Sequence, residues 1–377
     1  MAQLSYGSDQ VMESMMESSN ILDYVTRTSY HPIVIGRGKR QQLVKSEGRF
    51  CMAFRLEDNE KQLCYRVWKE RIPDAFERFK LIDEKLSKIK LEYFSNFRYV
   101  PSALRMKCDG STVPGIVMDW LEGKTLDTFL KEDWIQLSTV EKLTFIRDFY
   151  YMCYRLRING ISHGDLSCLN IIVTSSRKIR LVDYDSLFVT EMKQNYYQTT
   201  GGAPSFQHPE RISPNKPLFA SIDDDNFSEY VIALSLWIAY FEPSVVNTYD
   251  ESNLLFTPID FKGINGKERL ENIKKSSGWE KANSFACQFK HIKVLLTGLE
   301  SIGGTLFSVP SLFDYIPEAT IISPHFYSLL CKDDTILPIN IMASFCGKCG
   351  NKFGESNEIL FCPKCGTKRE SLNLAKI

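Results

Sequence analysis

Hydrophobic and polar positions change places in short runs between residues 30 and 70. HPIVIG, RFCMAFRLED and KQLCYRVWK are alternating or apolar segments broken by glycine and charged turns, the pattern of strands. Over residues 74–91 the period lengthens: Phe76, Phe79, Ile82, Leu86 and Ile89 fall on one helix face, with Asp74 after Pro73 as the predicted N-cap. GIVMDWLEG at 115–123 predicts a buried strand that runs into a turn. A long helix is predicted over about 138–158, opened by Ser138 with Glu141 three residues on, the spacing of a capping box. ISHGDLSCLNIIV and KIRLVDYDSLFV read as a loop flanked by short strands, and helical patterns dominate from about residue 223. Within that half, Val231 to Phe241 is the longest apolar stretch; it is too short to span a bilayer and predicts a buried helix. The order is strands with one helix, a connecting strand, then a mainly helical half that carries the polar loops. That order predicts an α+β chain of two lobes with a cleft between them. Residues 1 to about 25 are polar and Ser/Met-rich without a sustained period, and predict an arm or a short packing helix. There is no internal repeat and no low-complexity tract.

With 377 residues, 44% hydrophobic and 24% charged, the chain is long and apolar enough for two or three folded domains. Lys+Arg and Asp+Glu balance at 46 each, so global charge points to neither a nucleic-acid binder nor a membrane-surface protein. The N-terminus shows no basic patch followed by an apolar run, hence no signal peptide is expected. Of eleven cysteines, seven are scattered and four form two CxxC pairs. The scattered ones are expected as free thiols in a reducing cytoplasm.

The segment His163-Gly164-Asp165-Leu166-Ser167-Cys168-Leu169-Asn170 resembles the catalytic loop of protein kinases, H-x-D-x-x-x-x-N. Thirteen residues after Asn170 comes Asp183 in LVDYDS, which looks like the metal-binding DFG element with Tyr184 for Phe and Asp185 for Gly. Such spacing suits phosphoryl transfer: a tight loop presents a carboxylate to a hydroxyl and an amide oxygen to a metal, and a short hairpin returns a second carboxylate. Each residue alone has a plain reading as part of a turn or strand end; the joint spacing outweighs it. The resemblance implies Asp165 as catalytic base and Asn170 with Asp183 as Mg²⁺ ligands. Downstream, Gly202-Ala203-Pro204-Ser205-Phe206-Gln207-His208-Pro209-Glu210 resembles the end of an activation segment, which implies a buried ion pair for Glu210. Asp225 resembles the residue that opens the central helix and holds the catalytic-loop backbone. MDWLEG, HGDLSxxNIIV, LVDYD and FQHPER together look like a bacterial eukaryotic-type Ser/Thr kinase family, over roughly residues 30–240. Small-molecule kinases of the aminoglycoside and choline type share HGDxxxxN but lack this activation-segment end.

On the nucleotide side, Leu63-Cys64-Tyr65-Arg66 aligns with the family's V-A-x-K, which puts Arg66 where Lys grips phosphate. Glu84, eighteen residues on, is the expected helix partner, with Glu77 as the alternative. Lys69, three steps along the strand, points to the opposite face. Arg keeps the charge, but its planar fork positions phosphate differently. Two segments compete as the phosphate-covering loop: Gly36-Arg37-Gly38, and Ser46-Glu47-Gly48-Arg49-Phe50-Cys51-Met52-Ala53, which fits the spacing to Arg66 better. The resemblance thus implies ATP contacts at Gly48, Phe50, Ala53, Cys64 and Arg66, a gatekeeper at Met118, and a hinge at Asp119, Trp120 and Leu121. Gly164 stands where the family often has the Arg that receives an activation-loop phosphate, and Thr199 and Thr200 sit where that phosphate would go. Ser167 replaces a frequent Lys.

Cys346-Gly-Lys-Cys349, twelve residues beginning with Gly350, then Cys362-Pro-Lys-Cys365-Gly366 is a zinc-ribbon signature: two knuckles turn four thiolates onto one structural Zn²⁺. Two disulfides or an iron centre are the weaker alternatives. Lys348, Lys352, Lys364, Lys368 and Arg369 make the module basic, which suits a protein partner or, as the lesser choice, nucleic acid. The expected layout is an arm at 1–25, a β-rich N-lobe at 26–121, a helical C-lobe at 122–335 and a zinc ribbon at 343–370. The expected function is transfer of the ATP γ-phosphate to Ser/Thr of a protein substrate, using Mg²⁺, in the cytoplasm and without a membrane partner. The rival expectation is a pseudokinase scaffold with weak or no nucleotide binding.

Overall fold

The computed structural model describes residues 5–35, 42–47, 51–70, 74–192, 196–197, 201–212, 218–305 and 309–314, with the backbone of 340–342 and 371–373. Gly36 to Gly38, Gly48, Phe50, Thr199, Thr200 and the ribbon cysteines Cys346, Cys349, Cys362 and Cys365 lie outside the described residues. The chain divides into two compact units. One is Met1–Glu122 with Arg180–Val182 and Glu191–Tyr196; the other is Gly123–Ile179, Asp183–Thr190 and Tyr197–Ile377.

In the first unit an antiparallel sheet runs His31–Pro32, Cys51–Glu57, Gln62–Trp68, Thr112–Asp119, Phe97–Arg105, with Lys45–Glu47 also paired to Cys51–Glu57. Alternation along Gln62–Trp68 sends Leu63, Tyr65 and Val67 to a buried face, where Met52, Phe54, Leu56 and Val117 join them. Tyr6, Val11, Met15 and Ile21 complete that cluster. Residues 5–25 therefore take the packing form of the two that the sequence allowed, with a helix at Ser8–Met15 laid over the sheet. On the other face lies the helix Ala75–Ile89: Phe79 is 5.0 Å from Trp68 and stacks on Tyr99 at 5.6 Å between ring centroids. Asp74 stands at the predicted N-cap position of this helix. Asp74 sits in the left-handed region at φ 57° and makes no side-chain capping bond, because that backbone turns the carboxylate away from the first helical N–H groups.

The second unit is built around two helices, Thr139–Ile158 and Asn226–Phe241. The first opens with the predicted capping box: Glu141 N–H donates to Ser138 Oγ at 3.3 Å, and Ser138 N–H to Glu141 Oε2 at 2.8 Å. The second is buried on every side from Asn226 to Ala239, as a helix apolar all round must be. Three aromatic polar groups in this core are paired. Trp134 Nε1 donates to the Ala239 carbonyl at 2.9 Å, and Trp237 Nε1 to Tyr150 Oη at 3.1 Å. Tyr150 Oη lies 2.6 Å from His291 Nε2. The indole can only donate, so the Tyr150 oxygen accepts from Trp237 while the hydroxyl also meets the imidazole. Burial, which pushes His291 down to about 3, keeps that ring neutral. Helices Gly266–Lys275, Ser277–Phe285 and Lys290–Leu299 follow. No helix among the described residues is long and apolar enough to cross a membrane.

Met15 is fully buried in the sheet-covering cluster. Met15→Ala is expected to lower unfolding stability by about 2–5 kcal/mol in urea titrations. A loose arm would give a change within about 0.5 kcal/mol.

Candidate active site

The loop that carries Asp165 is held from below. Ile161–Ser162 pairs with Phe188–Val189, and Ile171–Val173 with Lys124–Thr125, so both ends are anchored in short antiparallel ladders. Between them the backbone turns inward. The buried Asp225 carboxylate accepts the N–H of His163 through Oδ2 and that of Gly164 through Oδ1, the latter at 2.8 Å. Gly164 has φ 76°, and a Cβ there would fall on the Ser186 carbonyl. This position cannot carry the arginine that the family often places there.

Asp165, Asn170 and Asp183 belong to one neighbourhood. Asn170 Nδ2 donates to the Asp165 carbonyl at 2.7 Å, which turns its amide oxygen away from the loop. Asp165 Oδ1 accepts from the Ala203 N–H at 2.9 Å. Burial pushes Asp165 up to about 6; the Asp183 charge adds to this, while the Ala203 bond, His163 and Arg211 oppose it. Asp183 sits at φ 66°, in left-handed backbone that is costly for a non-glycine residue and is kept where geometry matters. Among the described residues, no group of three or more His, Cys, Asp or Glu could hold a metal ion. Asn170 and Asp183 supply two oxygen donors; a Mg²⁺ that takes its remaining ligands from phosphate and water needs no more from the protein.

The activation-segment end differs from expectation. Glu210 lies 3.8 Å from Arg269 and keeps about a third of its side chain exposed, so it is not the buried ion pair of this region. That pair is Arg211 with Asp224, at 3.6 Å and 1% and 3% exposed. The segment folds back so that Arg211 points inward; it also donates to the Asp224 carbonyl and to Gln207 Oε1, both at 2.8 Å. Sequence reasoning passed over Arg211, Asp224 and Gln207. The run Asp223-Asp224-Asp225 was visible, but each of its members faces a different partner: Asp223 pairs with Arg157 at 3.0 Å on the surface side.

Within the first unit, the residues read as nucleotide contacts share a strand face. Ala53 is opposite Arg66, and Cys64 is opposite Met118, all on the side away from the N-terminal helix. Ala53, Cys64 and Arg66 are half-buried there, and Met118 is buried. Asp119 accepts from Asn96 Nδ2 at 2.8 Å, Trp120 N–H donates to the Gln62 carbonyl at 3.0 Å, and the Arg55 guanidinium lies 4.8 Å from the Trp120 ring. Leu121 is half-buried. The expected pairing of Arg66 with Glu84 is not formed. Arg66 Nε donates to Cys51 Sγ at 2.8 Å, and Glu84 meets Lys80 at 3.9 Å on the exposed side of its helix. Ala75, Phe79, Ile82 and Leu86 set the packed face, and Glu84 lies about 200° round from Ile82. Glu77 is exposed as well.

One turn beyond Asp225, Glu229 is buried, and its Oε2 has no hydrogen-bond partner among the described residues. Burial, helped by the Asp225 charge and opposed by Arg157, pushes it up to about 8. The folded protein therefore binds this proton more tightly than the unfolded chain does. Its contribution to stability is full below the ordinary carboxylate range and falls as pH rises to about 8. Glu229→Gln is expected to flatten that fall, which melting temperatures taken at intervals between about pH 5 and 8 will read. An unchanged slope in the variant counts against a protonated Glu229.

Residues 100–225, a third of the chain, match the family model described as protein tyrosine and serine/threonine kinase. No curated protein matches the chain. The matched stretch holds residues 163–170, Asp183 and residues 202–210 and closes on Asp225; it leaves out Arg66 and Glu84. The match supports a kinase-like α+β fold and a kinase-like phosphotransferase function for the part of the chain that carries Asp165.

Proposed function

We propose that the chain transfers the γ-phosphate of ATP to a Ser or Thr hydroxyl of a protein substrate. The observation that carries this reading is the Asp165 carboxylate, held by Ala203 N–H and lying beside Asp183 and Asn170. The acceptor hydroxyl gives its proton to Asp165 as its oxygen bonds to the γ-phosphorus. The bond from that phosphorus to the β–γ bridging oxygen breaks, and ADP leaves with the electron pair. A carboxylate whose proton affinity is raised by burial is better matched to accept that proton near neutral pH than a solvated one. Asn170 and Asp183 would hold Mg²⁺, which neutralises charge on the phosphate oxygens. Asp225 acts by holding the loop backbone. Arg66, on its half-buried strand face with Ala53 and Cys64, keeps a positive charge of the kind that phosphate oxygens attract.

A second reading, a scaffold that binds nucleotide weakly or not at all, draws on the separation of Arg66 from Glu84. Two measurements divide the readings. Under the first, ATP with Mg²⁺ raises the melting temperature, and the chain incorporates label from γ-labelled ATP. Asp183→Ala then abolishes incorporation, and Asp165→Asn lowers it by about 10²–10⁴-fold. No thermal shift and no label would leave the scaffold reading standing.

The four ribbon cysteines carry a separate proposal on spacing alone: they hold a structural Zn²⁺, and the module recruits a substrate or partner protein. Metal analysis of the purified chain is expected to find about one zinc per molecule. Cys362→Ser should lose it.

A further inference from the structure

Gln207 is fully buried, in the turn between Pro204–Phe206 and Pro209–Ile212. Arg211 Nη1 donates to its Oε1 at 2.8 Å. A guanidinium has only donors, so this bond also settles which end of the amide is oxygen. The nitrogen points the other way. Gln207 Nε2 is buried and has no hydrogen-bond partner among the described residues. A donor left in that state costs about 1–3 kcal/mol, and an apolar side chain of similar volume would avoid the cost.

What lies beside this nitrogen is Gly202, at φ 74°. A Cβ on Gly202 would sit 2.8 Å from Gln207 Nε2 and 2.7 Å from Asp165 Oδ1. The missing side chain therefore lets a buried amide donor and the Asp165 carboxylate close on one spot. Oδ1 already accepts from Ala203 N–H, in the same short stretch of chain. A carboxylate oxygen takes two donors readily, and one fixed in that way cannot turn about its Cβ–Cγ bond without breaking both.

We propose that Gln207 is the positioning residue of Asp165. Its Nε2–H joins the Ala203 N–H on Asp165 Oδ1 through one bridging water, so that Oδ2 is the oxygen turned to the acceptor hydroxyl. The inference rests on the phosphotransfer reading for its consequence and on the side-chain geometry for its substance. It also accounts for an uncharged amide in a buried site next to the Arg211–Asp224 pair: Oε1 faces the guanidinium, and the other end serves the loop.

Two substitutions and one spectrum test it. Gln207→Glu keeps an acceptor for Arg211 and replaces the donor, whereas Gln207→Met keeps the volume and removes both. In each, kcat for transfer is expected to fall by about tenfold or more while KM for ATP stays within about twofold. In an Asp165→Asn background the same substitutions should add less than about twofold, because the group they position is already gone. A purely structural role would instead lower the melting temperature and leave the kcat of the folded fraction unchanged. Independently of activity, the side-chain amide NMR signals of Gln207 should shift in Asp165→Ala. If the wild-type chain transfers no label, the phosphotransfer reading fails and these amide signals alone decide the contact. Amide signals that ignore Asp165, or substitution effects that simply add, would overturn the proposal.

Discussion

The Asp225 carboxylate, accepting two consecutive backbone N–H groups from His163 and Gly164, is the constraint on which the candidate site depends. Buried backbone donors must be paired, and a loop that turns its amides inward cannot pair them with itself. The acceptor has to come from another element, and it comes from the N-cap of the helix Asn226–Phe241. That helix is apolar enough to be sunk in the core on every side, so its first turn is held as firmly as the core itself. Asp165 inherits this rigidity, being one residue beyond Gly164, whose left-handed backbone sets the direction in which the loop leaves the anchor.

Charge is concentrated beneath that loop to a degree that stability alone would not favour. Arg211 and Asp224 form an ion pair with both side chains buried, and the Glu229 carboxyl is buried too. Desolvating such groups is expensive, and well-packed apolar residues are often as good or better for stability. What these groups supply is direction. The planar guanidinium of Arg211 reaches an amide oxygen, a backbone carbonyl and a carboxylate at once, tying the activation-segment end to the turn that precedes the central helix.

The first unit solves a different problem. An antiparallel sheet with one apolar face must cover it, and here the N-terminal segment does so, with Tyr6, Val11, Met15 and Ile21 against Met52, Phe54 and Tyr65. The opposite face carries the half-buried Ala53, Cys64 and Arg66 beside the aromatic contacts of Trp68, Phe79 and Tyr99. The helix on that side is oriented by its apolar residues. Arg66 consequently finds Cys51 on the neighbouring strand, and Glu84 finds Lys80 one turn back.

Local features were legible from the residues alone, since each depends on neighbours in the chain. Strand alternation, the 3.6-residue period of Ala75–Ile89, the Ser138–Glu141 box and the loop spacing from His163 to Asp183 are of this kind. The helix period even contained the sign that Glu84 faces outward, although the eighteen-residue spacing from Arg66 suggested otherwise. What the chain could not disclose are pairings between distant segments, because they follow no period: Arg211 with Asp224, the N-terminal helix over the sheet, and the Ala203 N–H on Asp165. The two glycines make the same point. Gly164 and Gly202 look alike in a string of letters. Only the folded backbone shows that one yields to the Ser186 carbonyl and the other to a carboxylate and an amide, because the atoms that forbid a side chain there arrive from elsewhere in the chain.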